Sequence, residues 1–200
     1  MAYSMTSTRS PSLRAAQSSL AGDRIIEATV QEIEAGAEPT MRGVALRASI
    51  SERTIYRYFP NLETLQTAII LHLRQRVGHP LCESAAELGG YVVDLYRSFE
   101  TNQQLTRVLA GSLWAAPILK RTRRENRDAL RRLLSAEFPR VDKATLESAA
   151  AGLRVPLSAA GWIYLVDCGY SNLEAIRHVQ WLVESTLETL RRQQRSQRER

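Results

Sequence analysis

The sequence predicts an all-α protein of about nine helices, with a small N-terminal helix-turn-helix domain followed by a larger helical domain. Glycine and proline are sparse, at ten and seven of 200 residues. No segment alternates β-branched and polar residues as a half-buried strand would, and apolar residues recur instead at three- and four-residue intervals. The apolar content of 44% is close to the globular average, so the chain can bury a core.

The first helix is predicted from an apolar stripe that begins near Leu20. Gly36 ends this helix, since glycine is favoured just beyond a helix C-terminus. Residues 1–19 are rich in Ser, Thr and Ala and are expected to form a flexible arm.

Two short helices follow. Thr40 is expected to cap a helix over residues 41–48, and Ser51 a second helix that runs to about Tyr58 and stops before Pro60. Two short helices separated by three or four residues predict a helix-turn-helix.

The remaining helices are predicted from apolar spacing, prolines and capping residues. A bend or break is expected near Pro156, and Ser171 with Glu174 forms a capping-box pattern. The expected ranges are 62–77, 81–99, 102–110, 117–138 and 142–167, and a last helix from 171 to about 190 or beyond.

The positive charge is concentrated in two segments. Residues 191–200 carry a net +4 and residues 120–132 a net +5, although the whole chain carries only +6. The remainder is therefore slightly acidic, and net charge alone does not identify a nucleic-acid binder. The basic stretch at 120–132 is interpreted as solvated surface, with an acidic effector entrance or a partner contact as the alternative.

Several classes of protein are disfavoured by the sequence. No apolar run reaches membrane-spanning length and no signal peptide is present, so a cytoplasmic protein with no membrane partner is expected. The spacing of His72, His79 and Cys82 matches no zinc pattern, and neither a metal nor a cofactor is predicted. There is no nucleophile–base set, phosphate loop or carboxylate pair, so we do not expect an enzyme.

The segment from Thr40 to Phe59 reads TMRGVALRASISERTIYRYF and is followed by NLETL at 61–65. By this segment, residues 25–65 resemble the tetracycline-repressor (TetR) family of regulators. The chain departs from the family pattern in a 36–40 loop that is one residue short, in Leu62 where relatives commonly have a phosphate-contacting Lys, and in Ser49 where they have Gly. A non-glycine residue with positive φ would cost about 1 kcal/mol at that turn.

Helical geometry divides the second short helix into two faces. At about 100° per residue, Tyr58 and Phe59 fall with Ile55 on the inward side, while Arg53 and Arg57 fall opposite. Guanidinium groups suit guanine edges, and hydroxyls and helix N-termini suit phosphates. The predicted DNA contacts are Thr40, Arg42, Arg47, Ser51, Glu52, Arg53, Thr54, Tyr56 and Arg57.

The resemblance implies a homodimer that pairs through its last two helices and a small effector bound between the middle helices. Burial inside one chain is the alternative for both sets of apolar residues. The candidate dimer residues are Trp162, Ile176, Val179, Val183 and Leu187. The candidate pocket residues are His72, Tyr91, Tyr96, Arg97, Phe99, Leu113, Trp114 and Ile118. Such a pocket is expected to be mostly apolar, with one or two polar anchors.

The expected domains are an arm at 1–19, a DNA-binding domain at 20–65, an effector-binding and dimerisation domain at 66–190 and a basic tail at 191–200. The expected function is a dimeric, ligand-responsive repressor of a double-stranded DNA operator. The alternative is a ligand-binding or interaction protein of the same fold with weak or lost operator binding.

Overall fold

The computed structural model describes residues 13–77, 81–113 and 115–197, which hold ten α-helices, one 3₁₀ turn at Ala85–Glu87 and no strand. The prediction of an all-α fold is confirmed. The helices are α1 (Leu13–Glu34), α2 (Met41–Ala48), α3 (Glu52–Tyr58), α4 (Leu62–Val77), α5 (Leu88–Thr101), α6 (Gln103–Gly111), α7 (Ala116–Glu137), α8 (Lys143–Arg154), α9 (Ala159–Asp167) and α10 (Asn172–Ser196).

The tenth helix arises from a complete break at the position where the sequence predicts a bend or break. Pro156 cannot continue α8, and Ser158 starts α9 by accepting a hydrogen bond from the backbone N–H of Gly161. A Cβ on Gly161 would lie 2.6 Å from the carbonyl oxygen of Val155. Glycine is therefore needed for the two helices to approach this closely.

The first helix begins earlier than the sequence predicts, and the last helix extends beyond Leu190, which the sequence left open. Helix α1 begins at Leu13, inside the segment expected to be an arm, and α10 continues to Ser196 within the expected tail. The rest of the predicted arm, 1–12, and the last three residues of the tail, 198–200, lie outside the described residues.

The chain divides into two compact units between Ile69 and Ile70, within α4. In the N-terminal unit, α2 packs on α1 and α3 packs on α2. Ile33, Val44 and Ile55 are fully buried, one from each of these helices. This shared core fixes three helices that are too short, or too polar on one side, to be stable separately.

The turn between α2 and α3 is a Schellman motif with serine in the left-handed position. Ser49 has φ 55° and ψ 45°. Its N–H donates to the carbonyl of Leu46 at 3.2 Å, and the N–H of Ile50 donates to that of Ala45 at 3.0 Å. Glycine usually occupies this position and makes the same hydrogen bonds. Because a residue with a Cβ is disfavoured at positive φ, the serine has a conformational cost that glycine would avoid.

In the C-terminal unit, α10 packs along α5, and α7 packs against α8. The aromatic rings of Tyr96, Phe99 and Trp162 stack in tilted pairs, with neighbouring centroids 6.1 and 5.9 Å apart. The Tyr96 hydroxyl donates to the carbonyl of Pro156 at 2.9 Å, and Trp162 Nε1 donates to Asn172 Oδ1 at 2.9 Å. The large aromatic side chains are therefore satisfied inside one chain.

The residues predicted to form a dimer seam belong to this core. All of them are buried within a single chain, so intramolecular burial is the interpretation that the structure supports. They are Trp162, Ile176, Val179, Val183 and Leu187. The apolar stripe of α10 faces α5, and a second chain would have to meet the opposite side of the helix.

No single described helix is both long and apolar enough to cross a membrane. Helices α8 and α9 are bent by 54° relative to each other. Taken together, they are long and apolar enough for a membrane span by length and composition alone.

We expect the substitution Ser49→Gly to stabilise the protein by about 1 kcal/mol, because it removes the steric cost of a left-handed residue. For a chain of this size, that corresponds to a rise of about 2–4 °C in the melting temperature. The control is Ser148→Gly on the exposed side of α8, where glycine should destabilise an ordinary helical position. A fall in melting temperature for Ser49→Gly would contradict the assignment of strain to this turn.

Candidate DNA-binding surface and ligand cavity

Helix α3 presents a polar face opposite its single fully buried residue, Ile55. Arg53 and Arg57 are exposed on that face. Tyr56, beside them, is 48% exposed, an unusual exposure for a tyrosine in a helix with a packed side. The face therefore offers two guanidinium groups and a phenol to a partner.

The hydroxyls at the starts of α2 and α3 already cap those helices. Thr40 Oγ1 accepts the N–H of Gly43 at 3.0 Å, and Ser51 Oγ accepts that of Thr54 at 3.2 Å. The two hydroxyls of Ser51 and Thr54 also share a hydrogen bond of 2.9 Å. Capping uses acceptor capacity, so the Thr40 hydroxyl proton can still be donated to a phosphate.

The arginines of this unit differ in how strongly the protein itself holds them. Arg47 Nε lies 2.5 Å from Glu32 Oε1 on α1, an ion pair that competes with any phosphate. Arg57 lies over the ring of Tyr58, 5.1 Å from its centroid, which limits its orientations. Arg42 and Arg53 are exposed and have no ion-pair partner among the described residues. Glu52, also exposed, places a negative charge in the first turn of α3, where it interacts favourably with the helix dipole.

The C-terminal unit contains a cavity of about 840 Å³ between its helices. Most of its lining is aliphatic or aromatic. The residues that line it are Ile70, Leu71, Leu73, Gln75, Leu81, Tyr91, Leu95, Phe99, Thr106, Leu109, Ala110, Leu119, Thr122, Arg123, Asn126, Ala129, Arg154, Leu157, Ser158, Ala159 and Ala160.

Two of the predicted pocket residues, Tyr91 and Phe99, line this cavity. Tyr96 lies on another side of α5, where it is fully buried against the backbone of Pro156. Arg97 lines a separate groove beside α10.

The other predicted pocket residues are placed elsewhere. Leu113 follows the end of α6 and is 89% exposed. His72 and Ile118 are half-buried and do not line the cavity, although the neighbouring Leu73 and Leu119 do. Trp114 lies outside the described residues.

The basic residues of the cavity wall are absent from the predicted pocket. Arg154 is the last residue of α8, a helix that carries few other charges. This isolated positive charge is the one signal in the sequence that could have identified Arg154 as a cavity residue. Arg123 belongs to the basic stretch that the sequence indicates to be solvated surface. The structure divides this stretch: Arg127 and Arg131 lie 3.7 and 3.6 Å from Glu147 on α8, whereas Arg123 lines the cavity.

The electrostatic environment of Arg154 is unfavourable for a cation. Burial lowers the pKa of its guanidinium, and the nearby Arg123 lowers it further, while Tyr91 opposes the shift. Burial likewise raises the pKa of the Tyr91 phenol, against the opposing effect of Arg154. The guanidinium still carries its charge at neutral pH, since arginine does not deprotonate in proteins.

One family model matches the N-terminal part of the chain, and several solved structures share its fold. Residues 25–69 match the model of the family "Bacterial regulatory proteins, tetR family". No curated protein matches the chain significantly. Solved structures of three regulators from Rhodococcus sp. RHA1 share the fold, and two of them are described as TetR regulators.

The first, a TetR-like transcriptional regulator, has a TM-score of 0.62 and 16% identity over 90% of this chain and 99% of its own. The second, a transcriptional regulator, has a TM-score of 0.59 and 17% identity over 84% and 96%. The third, a TetR transcriptional regulator, has a TM-score of 0.51 and 20% identity over 86% and 96%.

An all-α chain with an N-terminal helix-turn-helix has the fold of a DNA-binding regulator, and two arginines are exposed on the second helix of that motif. Residues 25–69 thus form an N-terminal domain of the tetR type, and the whole chain shares the fold of regulators described as TetR or TetR-like.

Replacing Arg53 or Arg57 with Ala is expected to weaken binding to an identified operator by about 1–3 kcal/mol for each bidentate interaction with a base that the substitution removes. Tyr56→Phe should weaken operator and non-operator DNA alike, because a phosphate contact carries no base information. Fluorescence anisotropy at one fixed salt concentration would measure both effects.

The matched control is Arg132→Ala on α7, which removes the same charge from an exposed position in the other unit. If both α3 variants bind the operator as tightly as the parent protein, α3 is not the recognition helix.

Proposed function

We propose that the protein is a homodimeric repressor that leaves its operator when a small, largely apolar effector occupies the cavity of the C-terminal unit. The observation that carries the proposal is the exposed face of α3, with Arg53, Tyr56 and Arg57 on a helix anchored by Ile55. In this proposal, residues 20–65 bind double-stranded DNA and residues 66–190 bind the effector and the second chain. The protein acts in the cytoplasm, by binding and not by catalysis.

A dimer is proposed because one DNA-binding domain does not suit a symmetric operator. Two recognition helices must lie about 34–36 Å apart, or a multiple of that, to enter successive major grooves on one side of DNA. Helix α10 provides a surface for pairing on the side opposite its buried stripe. Trp181 is 71% exposed there, with Leu173 and Leu182 exposed to either side. A group of exposed apolar side chains on one helix, more than a single exposed residue, is typical of an interaction surface.

The cavity supports the effector part of the proposal. Its volume lies in the range of small-molecule sites, and its lining is mainly apolar with a few polar groups. Ile70, Leu71 and Leu73 of α4 contribute to the lining, and the first half of the same helix belongs to the N-terminal unit. Occupation of the cavity can therefore act on a helix that is continuous with the DNA-binding domain.

Weak operator binding is the alternative, and Leu62 favours it. A leucine at the start of α4 has no positive charge with which to contact a phosphate, whereas a lysine at this position would. Failure to bind any DNA fragment from the region beside its own gene would favour a ligand-binding or interaction protein of the same fold.

Trp181→Glu is expected to convert the dimer into a folded monomer, because a carboxylate on both chains would repel and remain unpaired at the contact. Sedimentation at micromolar concentration gives the mass, and circular dichroism the fold. Leu113→Glu, at another exposed apolar position, should remain dimeric.

Val183→Glu provides a contrasting result. Because Val183 is 1% exposed inside one chain, a charge there should unfold the C-terminal unit and not merely separate two intact chains. A monomeric parent protein, or a Trp181→Glu variant that stays dimeric, would refute this pairing surface.

Effector and operator are expected to weaken each other's binding by the same factor, since coupling between two sites is reciprocal. Calorimetric titration of a candidate effector, with and without saturating operator, measures that factor. Equal affinities would show that the compound is not the inducer, however tightly it binds.

A further inference from the structure

The wall of the cavity has an unbalanced charge. Arg123 of α7 and Arg154 of α8 both line it, and none of the described residues that line it is an aspartate or glutamate. Two cations thus face a largely apolar space, and burial, with a further contribution from Arg123, lowers the pKa of the Arg154 guanidinium. An anion between them would relieve this repulsion.

Arg154 is only partly accounted for by its role in the fold. One guanidinium nitrogen donates to the carbonyl of Leu157, which helps to end α8. Its Nε is buried and has no hydrogen-bond partner in the described part of the chain. A guanidinium carries N–H donors on all three nitrogens, and a buried charged donor that stays unpaired is more costly than a neutral one.

Two further hydrogen-bonding groups lie on the same wall. Thr106 is 2% exposed, and its hydroxyl oxygen has no partner among the described residues. Tyr91 keeps its proton well above neutral pH, because burial raises the pKa of its phenol, and it can therefore donate to an anion. Donors of three different kinds thus line a single cavity.

The rest of the lining determines what else the ligand must carry. Leu71, Leu73, Leu95, Phe99, Leu109 and Leu119 present aliphatic and aromatic surface. A small inorganic anion would leave this surface in contact with water, and a neutral hydrocarbon would leave the arginines unpaired. Only a molecule with both characters satisfies the whole wall.

We propose that the effector is an amphipathic monocarboxylic acid, whose carboxylate binds Arg154 and whose aliphatic or aromatic body fills the apolar part of the cavity. A carboxylate matches the forked N–H donors of a guanidinium and accepts two hydrogen bonds at once. Arg123 adds a second positive charge, and Tyr91 and Thr106 can donate to the same head group. The proposal rests on the proposed function only in calling this ligand the effector; binding itself can be tested without DNA.

Competition against a neutral fluorescent reporter tests the inference. N-phenyl-1-naphthylamine, which fluoresces in apolar surroundings and carries no charge, reports on occupation of the cavity. Decanoate, methyl decanoate and decylammonium share one hydrocarbon body and differ in the charge of the head group. All three are used below their micellar concentrations, with the full chain.

Decanoate is expected to displace the reporter at a concentration at least about tenfold lower than methyl decanoate, the factor expected of one hydrogen-bonded charge pair, and decylammonium should be the weakest competitor. In Arg154→Gln, decanoate should lose most of its advantage over the ester and keep only the part that Arg123 supplies, while the affinity for the reporter stays unchanged. Arg154→Lys keeps the charge without the fork and should retain an intermediate preference. Arg124→Gln, an exposed neighbour of Arg123 that does not line the cavity, should behave as the parent.

A second variant, Arg123→Gln, keeps the inference testable if Arg154→Gln misfolds. Arg123 is exposed, so its replacement should leave the melting temperature unchanged. It should still reduce the preference for decanoate over methyl decanoate. If the reporter binds but acid and ester compete equally, the anionic ligand is refuted while the effector cavity stands. If the reporter does not bind at all, the cavity does not accept apolar molecules, and the effector part of the proposed function fails together with this inference.

Discussion

Burial of Ile55 is the interaction on which the DNA-binding surface depends. Helix α3 has only seven residues, too few to form a stable helix alone in water. Its side-chain cap at Ser51 supplies one hydrogen bond, and packing against α2 supplies the rest of its stability. The direction of Arg53 and Arg57 is therefore set by a residue on the opposite side of the helix.

The same dependence explains why the N-terminal unit can be predicted from sequence in detail. Caps, turns and the facing of a short amphipathic helix are local properties, fixed by residues within one or two turns of each other. Thr40 and Ser51 cap as predicted, and Ser49 adopts the left-handed conformation that its position in the motif implies. Local chemistry does not reveal, however, that Arg47 is paired with Glu32, fifteen residues away.

In the C-terminal unit the sequence shows which residues are apolar but not what covers them. The stripe of α10 that includes Val179 and Val183 has the spacing of a dimer seam and of a core helix equally. Only tertiary packing decides between them, and it places α5 on that stripe. Trp181 then becomes the informative residue, because most of its aromatic side chain stays in water on the far side of a buried stripe.

The cavity is a second case in which the helical spacing of apolar residues does not determine what each side chain contacts. Tyr91 and Tyr96 lie on one helix, five residues apart, yet one faces the cavity and the other is fully buried with its hydroxyl bonded to the backbone of Pro156. Aromatic content predicts a pocket region but not its polar groups. A basic residue in the last turn of a helix ordinarily has an adequate explanation in the helix dipole, so the isolated charge of Arg154 is only a weak signal of a cavity residue. Its buried, unpaired Nε sets it apart from a surface cap, and this feature of the structure is the one on which the proposed carboxylate ligand depends.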